Sequence, residues 1–269
     1  MSEEYQNAQS YRPSIFHFPP EAVQDSVRFY KLAKELRGFG IASIVWGVIN
    51  VIFGANWMLS EDPLNIIVVL LGLTMIALGI YMLARPSSTG WYIDAAVFFT
   101  LAAWNLGNFA LSAAAGTSKT FYPALVFGVI QVGFAILMIF KGSKFGTMYN
   151  KLQTLGPAHD WLQQEIKAID KAPDGTRQDV VSVRVIQFSG KAVWGIIWGP
   201  GDFIFIHPKR GICHYVPRNT LLYAFAYQPL PASKKVKIKA NLWGKKAQFV
   251  FKMPELQKLR YWLSQPAPA

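Results

Sequence analysis

Residues 39–59 read FGIASIVWGVINVIFGANWML, a stretch without one charged side chain. A helix rising about 1.5 Å per residue crosses a hydrocarbon core of about 30 Å in roughly 20 residues. Three more apolar runs follow, at Leu64–Leu83, Trp91–Ala115 and Phe121–Phe140, and none of that length comes after them. Together they predict a four-span α-helical membrane bundle over residues 39–140, with the remaining chain attached to it. At 52% hydrophobic residues and a mean hydropathy of +0.23, the composition exceeds that of an ordinary soluble domain. Residues 1–38 carry polar and charged groups throughout, so the first apolar run is read as a span and not as a secretory signal.

Charge in the connecting segments sets the expected orientation. Arg28, Lys31, Lys34 and Arg37 precede the first span, Arg85 lies between the second and third, and Lys141, Lys144 and Lys151 follow the fourth. The opposite side has Glu61, Asp62 and Lys119. The positive-inside rule then places both termini in the cytoplasm of a multi-pass cell-membrane protein. The one cysteine, Cys213, excludes an internal disulfide and is expected to pack as a small hydrophobe.

Inside the spans stand Asn50, Thr74, Asn105, Asn108 and Gln131. Amides facing lipid would leave donors and acceptors unpaired, so these side chains should point into the bundle. Asn50, Asn105, Asn108 and Gln131 are the candidate intramembrane polar cluster. They support either interhelical hydrogen bonding or the lining of a small transporter or channel. Gly47, Gly54, Gly72, Gly79, Gly107, Gly128 and Gly133 would let helices approach closely. Asp94, the one acidic residue in a predicted span, is read as an anchor near the cytoplasmic end, with water and Arg85 in reach. Trp46 and Asn50 recur as Trp104 and Asn108, and Gly72 to Arg85 as Gly128 to Lys141, a pattern suggestive of a duplicated hairpin.

The flanking segments are less apolar. Residues 1–19 are expected to be disordered, and Pro20 opens a helix whose Val23, Val27, Tyr30 and Leu36 suit an amphipathic element at a membrane surface. Residues 141–178 form a connector in which Trp161, Ile166 and Ile169 give His159–Lys171 a helical period, ended by a turn at 172–176. From Asp179 the period changes to that of strands. Seven are expected: Asp179–Phe188, Lys191–Trp198, Asp202–His207, Ile212–Val216, Leu221–Tyr227, Lys235–Trp243 and Ala247–Lys252. A helix over Pro254–Ser264 closes the sequence, with Leu256, Leu259 and Trp262 on one face.

Seven short strands followed by one amphipathic helix, over residues 179–264, resemble the pleckstrin-homology-like superfold, including GRAM and bacterial PH-like domains. The resemblance implies a bent, partly open barrel plugged by the C-terminal helix, acting as a binding or scaffolding module. In some members it also implies recognition of acidic lipid headgroups. One departure stands out. Phosphoinositide-binding members carry basic residues around a longer first hairpin loop, whereas here Phe188-Ser-Gly-Lys191 has one lysine.

Of the net charge of +12, most lies in residues 145–269, which hold 18 Lys and Arg against 7 Asp and Glu. In Lys235-Val-Lys-Ile-Lys239, strand alternation puts the lysines on one face and the aliphatic residues on the other. With Lys234, Lys245 and Lys246 they form a candidate surface for anionic lipid headgroups or an acidic protein, or an edge strand guarded against aggregation. Nucleic acid is not expected, because no aromatics interleave the lysines. No phosphate loop, GxSxG, HExxH or kinase signature occurs, and His207, His214 and Cys213 lack reliable metal spacing. The chain is therefore expected to be non-enzymatic and without cofactor or metal. The bundle is a candidate for homo-oligomerisation as well as anchoring.

Overall fold

The computed structural model describes residues 15–60, 65–116, 122–171, 177, 179–187, 190–199, 202–226, 234–242 and 245–266. It divides into two compact units, one of residues 32–151 and one combining 1–31 with 152–269.

The first unit is helical. Helix α1 spans Pro20–Ser60, α2 Ile66–Ala84, α3 Ser88–Ala114 and α4 Tyr122–Gln153. All four are long and apolar enough to cross a membrane. Trp91, Phe98, Met75, Met82, Leu101 and Met138 fill the interior, while Ile41, Leu70, Ile80, Val129 and Phe140 face outward. A surface as apolar as its core is what lipid as solvent requires, since water would drive those side chains inward.

Glycines bring α1 and α2 together. A Cβ placed on Gly47 would lie 2.5 Å from the Gly72 carbonyl, and one on Gly79 would lie 2.6 Å from that of Gly40. Gly40, Gly47 and Gly54 recur every seventh residue, as Gly72 and Gly79 do, so one seam runs along the hairpin. Gly107 and Gly133 do not serve this purpose, because added methyl groups there would meet open space. Aromatic rings link α1, α3 and α4: Phe39 packs edge-on against Trp91 at 5.9 Å, Trp46 against Phe127 at 5.6 Å, and Phe98 stacks on Phe134 at 5.9 Å.

The second unit is built on an antiparallel sheet of order β4-β3-β2-β1-β6-β5. Its strands are β1 Val180–Gln187, β2 Gly190–Trp198, β3 Asp202–His207, β4 Ile212–Pro217, β5 Lys235–Leu242 and β6 Lys245–Lys252. Before the sheet comes α5, Pro157–Lys171; between β4 and β5 lies a single turn, α6, Arg218–Leu221; after β6 comes α7, Met253–Ser264. On the inner face, Val181, Val183, Trp194, Phe203, Phe205, Ile238, Phe249 and Phe251 meet Leu256, Leu259 and Trp262 of α7.

Six strands are present among the described residues where seven are expected. The segment expected as a strand over Leu221–Tyr227 is helical: α6 runs into a wide turn over Leu222–Ala226, and Tyr227 lies outside the described residues. Leu221 and Phe225 are fully buried four residues apart while Tyr223 is 83% exposed. That spacing is helical, and a short apolar run does not reveal its period in advance.

The N-terminal segment also differs from expectation. Ile15–His17 form a 3₁₀ turn with Ile15 buried, while residues 1–14 lie outside the described residues. Val23 and Val27, expected at a membrane surface, are buried in a second core on the outer face of the sheet. Their partners there are Leu162, Ile166 and Ile169 of α5 and Val180, Ile197, Ile204, Ile206 and Cys213 of the sheet. Gln163 Nε2 donates to the Ser26 carbonyl at 3.0 Å and the Tyr30 hydroxyl to Asp170 at 3.1 Å. An amphipathic helix satisfies its apolar stripe with whatever surface is available, and here a sheet provides it.

Candidate anion-binding face

Among the described residues, the second core covers one side of the sheet's outer face. Beyond the second core the face carries β1, β6 and β5, whose outward positions hold six exposed basic residues among Ser182, Asn241, Gln248 and Val250. Val236 and Ile238 are buried while Lys235, Lys237 and Lys239 are exposed, as alternation on a strand dictates. Register then sets their neighbours. Lys235 pairs with Lys252, Lys237 with Val250, Lys239 with Gln248 and Asn241 with Lys246. Val250 in turn pairs with Arg184 of β1. Five exposed lysines and one exposed arginine thus occupy three adjacent strands about 4.8 Å apart. No acidic residue occurs in β1, β5 or β6.

Lys234 is exposed just before β5, and Lys245 opens β6 opposite Leu242. Arg184 and Lys252 were not singled out by sequence: Ser182-Val-Arg184 alternates as the lysine strand does, whereas Phe249-Val-Phe precedes Lys252 as an unbroken apolar run. What local pattern lacked was strand order: nothing in β1 announces β6 as its neighbour. A shallow cleft lies there, lined by Ser182, Arg184, Val193, Lys235, Val250 and Lys252. It opens where the β1–β6 ladder ends at Arg184 and Val250. Beyond that point the Ser182 N–H donates to the buried Glu255 carboxylate of α7 at 2.6 Å. Val193 stays 48% exposed beside the cations, giving the face apolar as well as charged contacts.

Other polar groups hold the unit together. Arg177 bonds both Asp179 and Glu165, the latter at 2.5 Å, tying α5 to the start of β1. The guanidinium holds the Asp179 carboxyl below its usual range. Lys258 donates to the Val180 carbonyl at 2.8 Å, and Arg260 to that of Phe225 at 3.0 Å.

His207 and His214 both lie against Trp194, at 5.3 and 5.8 Å, whereas Cys213 faces the second core on the opposite side of the sheet. Burial lowers the His207 pKa to about 4 and pushes the Cys213 thiol up to about 12. A neutral thiol is a poor nucleophile and a poor metal ligand.

In the helical unit, two of the four candidate amides meet. Asn105 Nδ2 donates to Gln131 Oε1 at 2.9 Å, joining α3 to α4. Asn50 turns back to the Trp46 carbonyl of its own helix at 2.8 Å, and Asn108 is half-buried one turn beyond Asn105. Asp94 departs from the expected anchor. It is fully buried and hydrogen-bonded to Ser43 of α1.

Compared with family models, curated proteins and solved structures, the chain matches none.

Proposed function

We propose that this chain is an integral membrane protein whose four helices anchor a binding module, with a basic sheet face that engages anionic lipid headgroups. The observation that carries the reading is the group of six exposed cations on β5, β6 and β1, in strands that hold no acidic residue. Near an anionic leaflet each well-placed cation contributes about 1 kcal/mol, and attachment to the helices raises the local concentration of the face at the bilayer. A curved sheet covered by a C-terminal helix supports the PH-like resemblance, and the helical segment between β4 and β5 departs from it. The positive-inside pattern supports cytoplasmic termini. The Asn105–Gln131 bond supports a packing role for the intramembrane amides over a pore.

The test uses the full chain in nanodiscs of phosphatidylcholine with or without phosphatidylserine, reading amine acetylation at each lysine by mass spectrometry. Protection of Lys235, Lys237, Lys239 and Lys252 with phosphatidylserine alone, reversed by salt, is the expected result. Equal labelling in both nanodiscs would overturn the lipid reading and direct the face toward an acidic protein.

A further inference from the structure

We infer that Asp94 is a proton-binding site inside the helical unit, held as the neutral acid that donates to Ser43 Oγ. Asp94 has no exposed surface, and its Oδ1 has no hydrogen-bond partner among the described residues. Its Oδ2 meets Ser43 Oγ, which also lies 3.1 Å from the Phe39 carbonyl. A serine hydroxyl has one proton, and a carbonyl only accepts. An ionised Asp94 would therefore receive at most one hydrogen bond, from a hydroxyl that a second acceptor also attracts.

Neither cation nor indole compensates for that deficit. The Trp91 Nε1–H, one turn earlier and buried, also has no partner among the described residues, so it is not directed at the carboxylate. Titratable or charged groups on the segments packed around Asp94 are Glu35 and Arg37 on α1, Tyr81 and Arg85 at the end of α2, Tyr92 on α3 itself and Lys141 on α4. Glu35 and Lys141 pair with each other at 2.5 Å. None of these groups bonds Asp94. A buried carboxylate without a countercharge costs several kcal/mol, whereas the neutral acid completes a chain from Asp94 to Ser43 Oγ to the Phe39 carbonyl. Every polar proton in that chain then has an acceptor. The ligand of this site is a proton, and its release requires the bundle to supply water or a second donor to Oδ1.

Infrared spectra of the full chain in detergent test this, with carboxyl-labelled aspartate and an Asp94→Asn control, across roughly pH 4 to 9 where buried carboxyls titrate. The expected result is a neutral-acid carbonyl band at neutral pH that shifts in heavy water, converts to carboxylate as pH rises, and is absent from Asp94→Asn. Ser43→Ala retains the acid and moves the band, which keeps the test decisive if Asp94→Asn does not fold. A carboxylate band alone at neutral pH would overturn the proposal. A neutral-acid band that neither exchanges nor titrates would also overturn it, leaving a structural acid.

Discussion

Glu255 is 4% exposed and accepts the Ser182 N–H where β1 parts from β6. Replacing it by Ala leaves a part-buried donor without this acceptor, a loss of about 1 kcal/mol, while Gln keeps an acceptor and recovers part of it. Denaturant unfolding of the two variants checks the order. His207 makes a second prediction. Its folded pKa of about 4 lies below the ordinary 6.5, so the unfolded chain binds a proton that the folded chain refuses. Stability from this group is complete above pH 6.5 and is lost as pH falls toward 4, by at most about 3 kcal/mol. His207→Phe should flatten that limb of a stability–pH profile; an unchanged limb would place the titration elsewhere.

Among the elements, the α1–α2 hairpin is the most constrained. Gly47→Leu or Gly72→Leu would drive a side chain into a facing backbone carbonyl, at a cost of about 1–3 kcal/mol or more. The same change at Gly107 or Gly133 meets open space and should be tolerated. Thermal melts of these four variants in detergent distinguish the two classes. The helices were legible because twenty apolar residues in a row admit few other readings. Which glycines face a neighbour was not, since the sequence does not show which side of a helix meets another. The same limit explains Leu221–Tyr227. Leu221, Leu222, Ala224, Phe225 and Ala226 suit a strand or a buried helix alike, and only the packing of Leu221 with Phe225 on one side settles the matter. Strand alternation, by contrast, assigned the outward lysines of β5 correctly because one face is buried.

At the scale of the whole molecule, charge and hydrophobicity are segregated. The helical unit exposes aliphatic side chains, and the sheet exposes cations on one side of its outer face. Arg184 and Lys252 escaped the sequence reading because they join the lysines only through long-range strand order, which no local period encodes. Val23 and Val27 escaped it because their burial depends on α5 and the sheet, well over 100 residues away in sequence. The proposed contact of the basic face with an anionic leaflet is open to a direct distance measurement. The most direct measurement places a fluorophore at Asn241→Cys, in a Cys213→Ala background, and headgroup acceptors in nanodiscs holding the full chain. Energy transfer should rise when phosphatidylserine is included, fall with added salt, and lose both responses in K235E/K237E/K239E. Transfer that ignores lipid charge, salt and the triple substitution alike would contradict the account.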